Sequence, residues 1–256
     1  MSERPRLEAV VFDAGGTLGR LDFEWMAEAV TGLGVPLDAA RLRRAEIEGR
    51  RRYDASVGPP PRPGDPHPPL GSTGDIRAYL GGMLEAAGVR GPAREAAIES
   101  FLARQKGPGL WARPMEGARA AIDGIGALGL RRAVVSNSDG RAEWHLGRWN
   151  LLEGIEFVVD SQLVGIEKPD PRIFAIALDR LGIPAGRALY VGDIRSVDEA
   201  GSRAAGMHFV LLDPYGDYAD GSVAIAGIAE LPAWVAAHFS VPAGALEAPR
   251  AARREP

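Results

Sequence analysis

Apolar residues gather in five short runs along the chain, at positions 7–12, 133–135, 157–159, 188–191 and 209–212. Each run stops abruptly at a polar or turn-forming residue. The stops are Asp13 ahead of Gly15 and Gly16, Ser136 with Asn137, Asp160, Gly192 with Asp193, and Asp213 with Pro214. Short, continuously apolar, β-branched stretches bounded by turn residues predict strands buried on both faces. Between them, apolar residues recur at helical spacing over 115–128, 142–150, 171–181 and 196–205, which predicts helices. Strands alternating with helices predict an α/β core, a doubly wound parallel sheet of Rossmann-like architecture. Ligands of such sheets sit beyond the carboxyl ends of the strands, where the runs deliver their polar residues.

Residues 21–113 follow a different pattern. Helical periodicity over 22–33, 37–53, 73–87 and 92–103, with no convincing strand, predicts an inserted helical cap domain. The core then comprises 1–20 and 114–239. The insertion is interrupted by a proline-rich stretch over 58–69, too rich in proline for regular structure and expected to be a solvated connector. The Ala/Pro/Arg-rich end, 240–256, is expected to be a disordered tail.

The chain has 256 residues, 46% of them hydrophobic and 25% charged, ordinary for a water-soluble globular protein. It has no cysteine, which excludes disulfides, thiolate metal sites and cysteine nucleophiles. No apolar run approaches the roughly 20 residues that cross a bilayer, and the polar start carries no signal-like apolar segment, so the expected location is cytoplasmic, away from membranes. A net charge of −4 argues against nucleic acid as the main partner. Of the 30 basic residues only Lys106 and Lys168 are lysines. The arginine cluster Arg41, Arg43, Arg44, Arg50, Arg51 and Arg52 reads as a solvated helix face.

Four sites carry candidate chemistry. Asp13 ends the first strand and is followed by Gly15, Gly16 and Thr17, a loop whose backbone N–H groups can approach an anion. Its carboxylate could be a nucleophile, a metal ligand or both. Ser136 and Asn137 could hold a phosphate oxygen or cap the following helix. Lys168, stiffened by flanking Pro169 and Pro171, could be a positioned cation. Asp193 and Asp198 straddle the start of a helix. Three carboxylates on one sheet edge repel at neutral pH, and a hard divalent cation with oxygen ligands, Mg²⁺, relieves that repulsion.

The ordered set Asp13–Thr17, Ser136, Lys168, Gly192-Asp193 and Asp198, with a helical insertion after the first motif, resembles the haloacid-dehalogenase superfamily with a C1-type cap, over about residues 7–215. The resemblance implies a Mg²⁺-dependent phosphomonoester hydrolase acting on a small phosphorylated metabolite. Asp13 would form an aspartyl-phosphate and Lys168 would orient it. Gly16, Thr17, Ser136 and Asn137 would bind the substrate phosphate. Asp13, Asp193 and Asp198, with the Gly15 carbonyl, would hold the metal.

One position departs from that pattern. Phosphatases of the family carry a second aspartate two residues after the nucleophile, as acid and base; here it is Gly15. Losing such a group costs about 10²–10⁴ in rate. Either Asp22 or His67 takes its place, or the leaving group needs no proton, or the protein is a catalytically weakened binding or regulatory relative. A 2-haloacid dehalogenase also lacks the second aspartate but has no use for so acidic a metal site. A phosphonate hydrolase would need a buried cap amine, for which the insertion offers only Lys106.

Overall fold

A computed structural model describes residues 4–218 and 221–242. The chain opens with β1 (Ala9–Phe12), then β2 (Gly19–Leu21). Four helices follow: α1 (Phe23–Gly32), α2 (Ala39–Ser56), α3 (Ile76–Ala86) and α4 (Gly91–Gln105). Strand β3 (Trp111–Pro114) returns the chain to α5 (Ala118–Ala127), β4 (Arg131–Ser136), α6 (Ala142–Arg148) and β5 (Val158–Asp160). The remainder is α7 (Ser161–Val164), α8 (Pro171–Leu181), β6 (Ala188–Gly192), α9 (Ala200–Ala204), β7 (His208–Leu212), β8 (Ala224–Ile225) and α10 (Leu231–His238).

The expected sheet is present, with one more strand than the five apolar runs predicted. Its order is β5-β4-β1-β6-β7-β8, every pair parallel. Strand β1 lies at its centre, Phe12 in register with Val134 on one side and Val191 on the other. That register brings the residues after Phe12, Val135 and Val191 to one edge. Alternation then divides the core: Val10 and Phe12 pack on the face of α5 and α10, while Ala9 and Val11 pack on the face of α8.

The helical insertion builds its own apolar cluster, from Phe23, Met26, Leu42, Leu80, Met83 and Phe101 among others. Helices α1, α2 and α3 begin at Asp22, Asp38 and Asp75, whose side chains accept from backbone N–H groups of the first turn. Chain entry and exit are joined where no strand was expected. Strands β2 and β3 pair antiparallel as a short ribbon, Gly19 against Pro114 and Leu21 against Trp111. Three- and four-residue strands containing Gly and Pro carry too little pattern to read from sequence.

The proline-rich stretch is also not the free connector expected. The Glu167 carboxylate accepts from Gly71 N–H (2.9 Å) and Thr73 N–H (2.8 Å), His67 meets Asp170 (3.1 Å), and Arg172 donates to the Asp65 carbonyl (2.8 Å). At the far end, Ser240 bridges to Arg6 and bonds Pro5 and Leu7 through its backbone, so the tail does not begin at 240. The rest of the expected tail, 243–256, lies outside the described residues. Among the described residues no helix is long and apolar enough to cross a membrane.

Phe101, wholly buried, anchors the insertion's apolar cluster. Phe101→Ala is expected to cost about 3–5 kcal/mol in urea denaturation; a loss below about 1 kcal/mol would mean this cluster does not hold the insertion together.

Candidate active site

The carboxyl edge of the sheet forms the floor of a covered cavity of about 490 Å³, and the helical insertion forms its roof. Asp13 leaves β1 with its backbone N–H still bonded to Val191 O at 2.9 Å, so the strand fixes where its side chain starts. Lys168 comes from the loop before α8. Its Nζ donates to Asp13 Oδ1 (2.5 Å), Asp198 Oδ1 (2.7 Å) and the Tyr190 hydroxyl (3.0 Å). An ammonium has three protons to donate, and all three are used. The Tyr190 hydroxyl passes its own proton to the Val135 carbonyl at 2.8 Å.

Asn137 clamps this lysine from behind. Its amide donates to Lys168 O (2.9 Å), and its carbonyl oxygen accepts from Lys168 N–H (2.8 Å). Asn137 also lines the cavity; one N–H of its amide is used on the lysine backbone, and the second is not. Ser136, at the end of β4, is nearly buried and also on the wall. Gly16 and Thr17 are not on the wall. Gly16 has positive φ, and a Cβ there would land on the Asp193 carboxylate, so the glycine admits that side chain. Thr17 is wholly buried with its hydroxyl unpartnered.

A π-helical turn over Arg195–Glu199 carries Asp198 back toward β6. Asp198 Oδ2 accepts from the N–H groups of Asp193 and Ile194, both at 3.0 Å, while Oδ1 holds Lys168. Both of its oxygens are therefore engaged in shaping the loop. Asp193 differs: Oδ2 faces Arg50 Nε at 3.4 Å, while Oδ1 is buried with no hydrogen-bond partner. Asp13, Asp193 and Asp198 each offer an oxygen within 4.8 Å of the others.

Electrostatics favour a cation here. Burial pushes the Asp13 carboxyl up to about 7; Lys168 works against the rise and the Asp198 charge adds to it. Burial likewise raises Asp193 well above the usual range, opposed by Arg50 and aided by Asp198. For Lys168 burial acts to lower the pKa, but the charges of Asp13 and Asp198 prevail and hold it well above normal. Among the described residues, Asp13, Asp193, Asp198 and Glu46 pair with Lys168 and Arg50, so these buried carboxylates outnumber their cations by two. The unpartnered Asp193 Oδ1 and this deficit of positive charge suit a divalent, oxygen-seeking ion such as Mg²⁺.

Several residues carry more of the site than the sequence suggested. Arg50 is buried, paired with Glu46 at 3.2 Å and with Asp193, and bonded to Leu212 O, so it is no part of a solvated face. The available signal was its place on the stripe Leu42, Ala45, Glu46, Gly49, Arg50, which is the buried side of α2. The aromatic residues Tyr53, Tyr79, Trp111 and Trp149, with His145, wall the cavity; except for His145 and Trp149, one helical turn apart, they are distant in sequence and no period links them. The two acids considered as stand-ins for the missing aspartate are elsewhere. Asp22 caps α1 and pairs with Arg104 (2.7 Å) and Arg113 (3.1 Å), and His67 pairs with Asp170; neither lines the cavity. Lys106 is exposed and off the wall, unlike the buried amine a Schiff base requires.

Comparison with known proteins agrees with this architecture. Residues 7–206 match the family model of haloacid dehalogenase-like hydrolases, and the chain belongs to that family. It is 45% identical to mouse haloacid dehalogenase-like hydrolase domain-containing protein 3 over 98 residues, 38% of this chain and 39% of that protein. The chain thus spans only about two-fifths of that relative's length. Similarity to phosphoglycolate phosphatase of Rhodospirillum rubrum extends further, 31% identity over 80% of this chain and 79% of the relative. Among solved structures, a magnesium-bound HAD hydrolase from Bacillus subtilis shares the fold with TM-score 0.58 and 16% identity, over 90% of this chain and 99% of that one. Relatives of the chain within this family include proteins named as phosphatases.

Lys168→Met would leave Asp13 and Asp198 buried without their shared counter-charge. The expected cost is about 3–5 kcal/mol in chemical denaturation. A variant as stable as wild type would mean that the ammonium does not hold the site together.

Proposed function

We propose that the protein is a Mg²⁺-dependent phosphomonoester hydrolase in which Asp13 accepts the phosphoryl group of a small phosphorylated metabolite. The observation that carries this reading is the buried ammonium of Lys168 fastened to Asp13 beside two further carboxylates, at the floor of a covered cavity. Phosphatase-named relatives are consistent with it. A volume of about 490 Å³ suits a small metabolite rather than a polymer. A dehalogenase would gain nothing from three clustered carboxylates.

In this reading Lys168 fixes one oxygen of Asp13 and leaves the other to face the phosphorus, so that attack begins from an oriented nucleophile. Asp13 and Asp193 would hold the metal, which supplies positive charge against the phosphate and the acidic floor. Asp198 orients Lys168 through Oδ1 and the Asp193 loop through Oδ2, which makes it a positioning residue. Ser136 Oγ is the wall donor closest in kind to a phosphate ligand, whereas Asn137 acts by holding Lys168. The helical insertion serves as a cap that keeps bulk water from the phosphorylated aspartate. The Glu167 clamp ties its proline-rich loop to the segment that carries Lys168.

Asp13→Asn is expected to reduce Mg²⁺-dependent phosphate release from p-nitrophenyl phosphate to background, and chelator should do the same to wild type. Turnover by Asp13→Asn at the wild-type rate would refute the assignment. Asp193→Asn should weaken Mg²⁺ binding by at least about tenfold in calorimetry without substrate; unchanged affinity would place the metal elsewhere.

A further inference from the structure

Gly15 stands where the family's acid–base aspartate is expected, and an indole ring packs tightly against it. Its φ lies outside the left-handed region, so the backbone does not demand glycine here. A Cβ at this position would meet the Trp111 indole, 3.3 Å from Cδ1 and 3.5 Å from both Cγ and Nε1. The indole fills the place into which a side chain at residue 15 would project. It continues into an aromatic wall. Tyr79 lies 6.1 Å from Trp111 between ring centroids, and Tyr53 lies 6.3 Å from Tyr79, nearly edge-on. Trp149, Leu70 and Ile76 add further apolar surface to the same cavity.

Glu167, Asp139, Tyr53 and Tyr79, on the wall outside the Lys168 cluster, are already committed to partners. Glu167 accepts two backbone N–H groups of the docked loop through its two oxygens. Asp139 pairs with Arg141 through both oxygens, and that hydrogen bonding holds its pKa below normal, so it remains a carboxylate. Tyr53 donates to Thr73 O and Tyr79 to Glu46; burial pushes the Tyr53 phenol up to about 12. His145 packs against the Trp149 ring, and burial, with Arg141 nearby, lowers its pKa, so less of it is protonated at neutral pH. Among the described residues no arginine lines the cavity, and the lysine that does, Lys168, is used three times over. A second anionic group on a substrate would find no free cation there.

Building on the phosphatase reading above, we infer that the cavity selects monophosphate esters of a flat, weakly basic leaving group, aryl phosphates in chemical class, with Trp111 as the specificity-determining wall. The ring lies along the indole and tyrosines, where stacked aromatic contacts add about 0.5–1.5 kcal/mol beyond burial. Asp13 attacks phosphorus and the P–O bond to the ring breaks. The electron pair leaves on the phenolate oxygen, which takes its proton from water after release and needs none from the protein. Water then attacks phosphorus and the bond to Asp13 breaks, giving back the carboxylate and releasing dihydrogen phosphate, which retains both protons of the water. A sugar or alkyl phosphate is disfavoured: its alkoxide is a poor unprotonated leaving group, and it has no ring to lie along the indole and tyrosines.

The test measures kcat/KM with Mg²⁺ for p-nitrophenyl, phenyl and 1-naphthyl phosphate, glycerol 3-phosphate, and acetyl phosphate as a small ring-free compound with a good leaving group. Expected for wild type is turnover of the aryl esters and acetyl phosphate, with glycerol 3-phosphate lower by about 10²-fold or more. W111A should raise KM for 1-naphthyl phosphate about tenfold and that for acetyl phosphate much less. The double variant G15D/W111A, which makes room for a carboxylate, should narrow the gap between glycerol and aryl esters. Glycerol 3-phosphate turned over within about threefold of the aryl esters would overturn the substrate class and leave the phosphatase reading standing. Equal effects of W111A on the naphthyl and acetyl compounds would overturn the role of Trp111. Absence of turnover on every compound would remove the phosphatase reading, and this inference with it. The wild-type series decides the substrate class even if W111A does not fold.

Discussion

A single buried ammonium organises the carboxyl edge of this sheet. Lys168 draws Asp13 from the end of β1, Asp198 from the turn after β6 and Tyr190 from within β6 onto one nitrogen, and Asn137 from the end of β4 holds its backbone. Separately, each of these groups would be costly to bury, because a carboxylate or ammonium withdrawn from water needs a partner at hydrogen-bonding distance. Together they compensate one another and fix the relative positions of three strand ends. The parallel register around β1 is what allows it, since Val134, Phe12 and Val191 lie side by side across the sheet.

The same short loop faces two ways. Lys168 points inward to the nucleophile candidate, while its neighbour Glu167 grips the backbone of Gly71 and Thr73, just after the proline-rich stretch of the insertion. Arg50 makes the complementary link from the other direction, from helix α2 down to Asp193 and the Leu212 carbonyl. Insertion and sheet are thus joined through the residues that define the site, not through a remote hinge alone. Any movement of the insertion acts on the groups proposed to hold metal and phosphate. The paired β2 and β3 ribbon supplies the covalent connection between the two layers.

The strands and the residues at their ends could be read from the sequence because a strand buried on both faces is continuously apolar, and three of the five runs, ending at Asp13, Ser136 and Asp193, stopped at residues of the site. Asp13, Ser136, Lys168 and Asp193 do converge. What escaped was set by long-range geometry. Arg50 looked like one arginine among six, and its burial depends on Asp193, 143 positions away. Trp111 acquires meaning only because it covers Gly15. The proline-rich stretch docks through the His67 ring and the Asp65 carbonyl, and the residues just after it through the Gly71 and Thr73 N–H groups, contacts that leave no mark on composition. Asn137 lines the cavity as expected, yet its amide is turned to the lysine backbone, a distinction invisible without coordinates.

The central claim is that Asp13 carries the phosphoryl group during turnover. Its most direct measurement is acid quenching within the first turnover on ³²P-labelled phenyl phosphate, borohydride reduction of any acyl phosphate, and peptide mapping. Label and reductive conversion confined to Asp13 is the expected result. Steady release of phosphate without any modification of Asp13, or with label on another residue, would contradict the account.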